Sequence, residues 1–393
     1  GKILEALVTN KKVLEIDPKD PEGHYNMGNT LKLLNKLNES IRCYKKAIEL
    51  NSNYAEAYNN LGVTLKDLGN LNDAIINYKK AIELNSNYAE AYNNLGIALK
   101  ENERLDQSQI NYKKAIEINP SYVEAYNNLG ILQRDKGELE NSKMNYEKAI
   151  ALKPNYAEAH YNLGITFREL GDLKNSESSY KSAIKFNPNY AEAYNNLGVT
   201  LRESCKLDES EAAYKKAIKL KTDYADAYNN LSFTLLLKNK FADAFKFSEW
   251  RWQTKHNIGK KLITNKPIWN GESNKSILVW KEQGIGDEIM YNSILTELRA
   301  QSKKLIVHCD KRLISLFSRS FPNDVIFESN KENINNKDYD YHIPIGSMPR
   351  FFRKDLKSFL NSSKGYLRSD NIKTLKFRDE LLKNNKNARL IGI

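Results

Sequence analysis

The chain has 393 residues, of which 28% are charged and 40% hydrophobic, enough for two or three domains of ordinary folded composition. No apolar run approaches the roughly 18 residues that a membrane-spanning helix needs. Basic side chains exceed acidic ones by 12, and the excess lies mostly outside the repeated part of the chain: residues 257–393 hold 25 basic against 15 acidic groups, and the rest is close to balance. A Lys-, Asn- and Ile-rich vocabulary, as an A/T-rich coding sequence produces, accounts for it, and nucleic acid is not the expected partner.

Cys43, Cys205 and Cys309 are far apart, odd in number and without metal spacing. They read as free thiols of a reducing compartment, which makes the cytoplasm the expected location. His24, His160, His256, His308 and His342 form no H-x-x-x-H pair, so no metal site is expected. Gly1 falls inside what reads as the second helix of a repeat, and Arg389–Ile393 inside an apolar strand pattern. Both ends therefore read as cuts in a longer chain, and a missing leader carries no information.

The decapeptide running from Asn53 to Gly62 returns at Asn87–Gly96 and, slightly varied, at Ser121–Gly130, Asn155–Gly164 and Asn189–Gly198. Its tyrosine falls at Tyr54, Tyr88, Tyr122, Tyr156, Tyr190 and Tyr224, always 34 residues on. A fixed period of this length implies stacked helix–turn–helix units. Within one unit, Ala57, Tyr58, Leu61, Val63, Leu65 and Leu68 recur at helical spacing. Gly69-Asn70 then turns the chain, and Leu71, Ala74, Ile75, Tyr78, Ala81 and Ile82 line a second helix. Asn85-Ser86 closes the unit, with Pro at the Ser86 position of other copies (Pro120, Pro154, Pro188), where helices end. Gly28, Gly62, Gly96, Gly130, Gly164 and Gly198 are expected to face Ser40, Ala74, Ser108, Ser142, Ser176 and Ser210, so that two helices approach closely. Tyr44, Tyr78 and their equivalents are expected to fill the space beside Ala47, Ala81 and so on. The Tyr, Leu-Gly, Ala/Ser, Tyr, Ala, Pro pattern resembles the tetratricopeptide repeat, and implies about seven units over residues 1–256, the first one partial, wound into a right-handed α-superhelix.

Asn60, Asn94, Asn128, Asn162, Asn196 and Asn230 stand directly before the Leu-Gly or Leu-Ser, and Lys66, Lys100, Arg134, Arg168 and Arg202 follow six residues later. If first helices line the concave side, these form ladders of amides and cations along a groove. Amides donate to and accept from an extended peptide regardless of its sequence. The same residues also suit a merely hydrated surface copied by recent duplication. The Asn-Leu-Gly period is similar to the repeat region of O-linked N-acetylglucosamine transferases, which implies an asparagine ladder holding an acceptor polypeptide.

The last unit departs from the pattern: Ser232 replaces Gly, Ser248 replaces Tyr and Arg251 replaces Ala. Phe245, Trp250 and Trp252 are expected either to cap the stack or to dock on the next domain. Residues 257–275, with Pro267, Gly271, Ser273 and Asn274, read as a connector. From Ser276 the periodicity changes. Strands are expected at Ile277–Trp280, Lys304–His308, Val325–Phe327, Tyr341–Ile343 and Leu390–Ile393. Helices are expected from Asp287 to about Arg299, over Leu313–Phe317, and near Lys354–Leu360 and Thr374–Leu382. The alternation argues a parallel, Rossmann-like sheet with helices on both faces over residues 276–393.

Gln283-Gly-Ile-Gly-Asp-Glu288 follows the first strand. It is neither a dinucleotide fingerprint nor a P-loop, since Ile289 occupies the third glycine position and no Gly-Lys-Ser/Thr is present. Two glycines let backbone approach a ligand, whereas Asp287 is also satisfied as a helix N-cap. Together with Glu249-Trp-Arg-Trp252 and the Pro-x-Trp-x-Gly of Pro267–Gly271, the loop resembles the start of the heptosyltransferase-like (family 9-like, GT-B) glycosyltransferase domain joined to such repeats in many bacterial proteins. That resemblance implies Asp287 as general base on an acceptor hydroxyl, Gln283, Gly284 and Gly286 beside the substrate, and a nucleotide sugar as donor substrate, with no cofactor bound by this chain. The donor-binding half would lie beyond Ile393, so the 393 residues alone are expected to be inactive. A protein, peptide, glycan or glycoprotein acceptor is the partner implied. A non-enzymatic protein-binding scaffold is the competing expectation.

Overall fold

The computed structural model describes residues 2–255, 261–282, 284–360 and 365–382. The backbone divides into two compact units, Gly1–Thr200 and Leu201–Ile393.

The first unit is helical throughout. After Lys2–Ile16 come first helices Pro21–Leu33, Ala55–Asp67, Ala89–Glu101, Val123–Asp135, Ala157–Glu169 and the start of Ala191–Glu203. They alternate with second helices Leu37–Leu50, Leu71–Leu84, Leu105–Ile118, Leu139–Leu152 and Leu173–Phe186. Turns between the two helices of a repeat place one residue in the left-handed region: Gly69, Gly137 and Gly171 at φ 78–80°, but Asn35 and Glu103 at 57°. Glycine adopts this conformation freely, and the other two give up local free energy to keep the same turn. Along the array each first helix lies close to the next first helix, and second helices do not approach one another as closely. Within this unit the first helices therefore form the tighter, inner side of the curve.

The glycine in the first helix lies opposite the serine position, as anticipated, but the group that a Cβ there would meet is a tyrosine ring. A Cβ on Gly62 would lie 2.7 Å from Tyr78 Cε1, and one on Gly96 2.6 Å from Tyr112 Cε1. Ser40, Ser108 and Ser176 donate their hydroxyls to the carbonyls of Gly28, Gly96 and Gly164 at 2.7–2.9 Å. The tyrosine rings are the buried filling of the repeat, with Tyr44, Tyr78, Tyr146 and Tyr180 wholly enclosed.

The second unit begins with two more helix pairs: the end of Ala191–Glu203 with Leu207–Leu220, then Ala225–Leu237 with Phe241–Ser248 and the 3-10 turn Glu249–Gln253. A parallel four-stranded sheet follows, β1 (Lys275–Trp280), β2 (Ser302–His308), β3 (Val325–Glu328) and β4 (Tyr341–Pro344), in the order β3-β2-β1-β4. Ile277, Val279, Leu305, Val307 and Ile343 alternate onto one face, where Leu295 and Leu298 of helix Leu295–Gln301 and Phe317 of helix Ile314–Ser320 cover them.

Helices on both faces were expected, and only one face carries them among the described residues. Leu278 and Ile306 on the other face pack against Tyr339, Ile334 and Leu262. The reason is topological. A right-handed return from β3 past β2 to the far side of β1 must cross the opposite face, and that crossing is a short 3-10 turn, Lys331–Asn333, with polar loop around it. The stretch read as a connector is partly structural: Ile268 bridges to His342, and Trp269 is buried against Phe351 and Phe352. The Pro-x-Trp-x-Gly motif thus serves packing. The strand expected at Leu390–Ile393 lies outside the described residues.

Candidate functional site

Two surfaces collect the candidate residues, one in each unit. In the first unit, each ladder asparagine reaches back by 35 residues, one period plus one. The Nδ2 of Asn94, Asn128 and Asn162 donates to Oδ1 of Asn59, Asn93 and Asn127 at 3.0–3.1 Å. Asn60 donates to the Tyr25 hydroxyl and to Asn29 Oδ1, both at 2.9 Å, and Asn196 to the Tyr161 hydroxyl at 3.1 Å. The basic ladder reaches forward by the same step: Lys32 to Asp67 at 3.7 Å, Lys66 to Glu101 at 3.7 Å and Lys100 to Asp135 at 2.7 Å. The sequence pattern suggests two ladders offered to a ligand. Their donors and charges instead tie successive repeats together. What remains for a ligand on this face is acceptor capacity on Asn94, Asn128 and Asn162, together with tyrosine rings and carboxylates. An open groove of about 410 Å³ runs between Tyr156, Glu158, Tyr161, Asn162 and Tyr190.

The cleft in the second unit arises from the changes in the seventh repeat. Where the earlier repeats set a glycine against a tyrosine ring, this one has Ser232 and Ser248. The ring is gone, and Ser232 donates to the Asn229 carbonyl at 2.7 Å. A cleft of about 380 Å³ opens there, walled by Ser232, Phe233 and Ser248 on one side and by Asp287, Met290 and Tyr291 on the other. Asn229 lines it; Asn230 does not.

Helix Ile285–Asn292 supplies Asp287. Its N-cap is Gly284, whose carbonyl accepts from the amides of Asp287 and Glu288. Asp287 is therefore the third residue of the helix rather than its cap, and the capping role considered for it is not what its side chain does. Its carboxylate accepts no hydrogen bond and meets no cation among the described residues. The helix starts two residues earlier than expected and stops at Asn292, where a turn separates it from Leu295–Gln301. Gly284 and Gly286 have open space where a Cβ would stand, and Gln283 lies outside the described residues.

The cleft abuts the carboxyl ends of β1 and β4 through Glu282, Ile345 and Gly346. Between these two neighbouring strands the strand order reverses direction, and there the loops part to leave a crevice in open parallel sheets. Arg251, 8% exposed, is inserted at that point. It makes a bidentate pair with Glu282 at 2.9 and 3.0 Å and donates to Glu249 at 2.9 Å and to Ser347 Oγ at 2.8 Å, while Gly346 N donates to Glu282 at 2.7 Å. Burial alone would lower the Arg251 guanidinium, but the charges of Glu282 and Glu249 outweigh it and hold it charged. Burial pushes the Glu282 carboxyl up, and the bidentate Arg251 beside it pulls it back. Burial, then the Asp287 charge, raises the Tyr291 phenol, leaving it a neutral donor beside the cleft.

Of the aromatic residues expected to cap or dock, Phe245 packs on Phe241 at 6.4 Å and lines the cleft, and the two tryptophans divide the roles, with Phe241, not part of that expectation, adding a further contact. Trp250 stacks on Tyr228 of the same repeat at 4.0 Å, whereas Trp252 meets Trp280 of β1 at 5.5 Å and Phe241 meets Phe359 at 4.8 Å. Arg251 and Glu282 were not singled out from the sequence, although the replacement of Ala by Arg at 251 was the available signal.

Family models described as TPR repeat match residues 28–69, 64–103, 98–134, 132–171 and 166–203, and tetratricopeptide-repeat models match residues 9–42 and 191–224. Together these span more than half of the chain. A search of curated proteins returned no match. Among solved structures, the Cut9–Hcn1 hetero-tetramer of the APC/C is similar at 16% identity and a TM-score of 0.52, over 65% of this chain and 51% of that one. YrrB, described as a TPR protein with an unusual peptide-binding site, is 24% identical over 47% of this chain and 95% of its own, with a TM-score of 0.39. MamA is 28% identical over 44% and 94%, also at 0.39. The likeness to Cut9 is one of fold. No helix among the described residues is long and apolar enough to cross a membrane.

Proposed function

Because the chain belongs to the tetratricopeptide-repeat family, we propose that its repeats hold an extended polypeptide and that its α/β region serves chemistry performed on that polypeptide. In this reading residues 1–256 are the array, 257–275 the connector, and 276–393 the acceptor-side, Rossmann-like half of a nucleotide-sugar-dependent GT-B glycosyltransferase working in the cytoplasm. The peptide's amides donate to the free acceptor positions of Asn94, Asn128 and Asn162. A hydroxyl of the acceptor, protein-borne or on a glycan, enters the cleft. Asp287 removes its proton as the oxygen attacks the anomeric carbon, and the nucleotide leaves with the bonding electrons. Such general-base assistance contributes about 10²–10⁴-fold. Gly284 and Gly286, with Gln283, leave room for the substrate.

The observation that carries this reading is the cleft, which presents an unpaired carboxylate at the reversal point of a parallel sheet, where ligands of open α/β folds bind. The test is Asp287→Asn in the protein extended through a donor-binding half. Transfer from nucleotide sugars to peptide should fall by about 10²-fold or more with peptide affinity unchanged. Undiminished transfer would remove the catalytic role.

A non-enzymatic scaffold is supported by a different observation. Arg251, Glu249, Glu282, Ser347 and Gly346 bond to one another, so the polar groups of the loops beside the cleft are committed to holding those loops together rather than offered to a substrate. A scaffold would bind peptide as well as an enzyme does and would show no transfer in any extended form.

A further inference from the structure

We propose that the groove of the first unit selects a cationic polypeptide segment, whose Lys or Arg side chains enter a ladder of glutamates alternating with tyrosines. The inference rests on the reading of the repeats as a peptide groove and names the partner's chemistry. Glu56, Glu90, Glu124, Glu158 and Glu192 recur every 34 residues, each the second residue of a first helix. An acidic residue there complements the helix N-terminus, but two features go beyond that.

The first is the balance of charge on these helices. At their far ends Asp67, Glu101 and Asp135 are matched by Lys32, Lys66 and Lys100. Among the described residues, no Lys or Arg comes within ion-pair distance of Glu56, Glu90, Glu124 or Glu158. Lys32, Lys66 and Lys100 are thus committed to one set of carboxylates, and the other set has no ion-pair partner among the described residues.

The second is what surrounds the unmatched set. Asn59 donates to Glu90 at 3.3 Å and Asn127 to Glu158 at 3.2 Å, which turns these carboxylates along the inner face. The tyrosines lie between them: burial, then the charges of Glu90 and Glu124, pushes the Tyr122 phenol up to about 12, and burial with Tyr161, Glu158 and Glu192 raises Tyr190. The open groove at Tyr156, Glu158, Tyr161, Asn162 and Tyr190 is one cell of this arrangement. A carboxylate, aromatic ring faces and amide oxygens around one opening are the groups a guanidinium or ammonium seeks. An acidic segment would meet repulsion in every cell, and a neutral one would gain only backbone hydrogen bonds.

The experiment is fluorescence anisotropy on the 393-residue chain with three labelled extended peptides of equal length, bearing Lys, Ser or Glu at alternate positions. The Lys peptide should bind about tenfold more tightly than the Ser peptide, the gain expected of a few exposed ion pairs, and the advantage should shrink as salt is added. Glu90→Gln/Glu124→Gln/Glu158→Gln keeps acceptors for Asn59 and Asn127, and should bring the Lys peptide down to the level of the Ser peptide without altering the latter. Should the triple variant misfold, Glu124→Gln alone, whose carboxylate holds no protein hydrogen bond among the described residues, should give a smaller loss of the same sign. Equal binding of Lys and Ser peptides, or tighter binding of the Glu peptide, would overturn the charge selection while leaving peptide binding intact. Binding of none of the three would overturn both.

Discussion

Replacing Gly62 by Ala should weaken the array, although alanine is the better helix former. A Cβ at position 62 would lie 2.7 Å from Tyr78 Cε1 and 2.9 Å from Cδ1, about 0.7 Å inside ordinary contact. The ring cannot withdraw, because Tyr78 is fully buried. Forcing a methyl into such a place costs about 1–3 kcal/mol, against about 1 kcal/mol gained from helix propensity, for a net loss of about 1 kcal/mol. In a Tyr78→Ala background the ring is absent and only the propensity remains, so the same change should stabilise by about 1 kcal/mol. Tyr78→Ala is itself costly, about 3–5 kcal/mol, but it enters both members of that comparison equally. The coupling between the two positions should thus be about 2 kcal/mol, read from urea midpoints followed by far-UV circular dichroism across the four proteins. Tyr78→Phe serves as control and should be nearly silent, since the buried hydroxyl has no partner. Stabilisation by Gly62→Ala in both backgrounds would refute the close approach as the reason for the glycine.

Two further changes probe the second unit. Arg251→Ala leaves Glu282 buried without its bidentate partner, and should destabilise the sheet region by about 3–5 kcal/mol; a shifted fluorescence transition of Trp252 and Trp280 reports it, and an unchanged one would show that the network is dispensable. Glu211 is subject to burial that raises its carboxyl and to the closer Lys215, Lys238 and Lys240, which prevail and push it down to about 2. Its folded value lies below the unfolded value of about 4.5, so its contribution is fully present above that and disappears as pH falls toward 2. Glu211→Gln should therefore flatten the loss of stability across that window in denaturant titrations, and a variant losing stability as steeply as the parent would contradict it.

The period, helix pairs and turns were legible because each is written in residues with strong local preferences, Gly69 and Pro120 among them. That a Cβ on Gly62 would meet the Tyr78 ring was not. Ala74 and Tyr78 lie one turn apart on the same face of the second helix, and spacing cannot choose between them. The asparagine ladder is legible as a series at one helical position, but whether an amide points to solvent or to the neighbouring unit depends on repeat-to-repeat distance, which no single unit encodes. In the sheet region the strands announced themselves through runs such as Ile277–Trp280. The start of the following helix did not, because Gly286 reads as turn and yet lies within it. Its break at Asn292 carries neither Gly nor Pro. The cleft was half visible: Ser232 and Ser248 were recognised as departures, but that they remove a ring together requires knowing that those two positions touch.

The constant step of 35 residues in the hydrogen bonds and ion pairs of the first unit bears on how such a chain changes in length. In the stretch where Asn94, Asn128 and Asn162 reach back to Asn59, Asn93 and Asn127 and where Lys32, Lys66 and Lys100 reach forward to an acid, excising or copying 34 residues, one full repeat, joins an asparagine to an asparagine and a lysine to an acid in the arrangement already present. Recombination between copies is in this sense structurally silent, and the groove can grow or shrink by one cell at a time. The seventh repeat has no such freedom. Without its glycine and tyrosine, and with Arg251 committed to Glu282 and Ser347, it fits one neighbour only. That sets it apart from the copies that can stand in for one another.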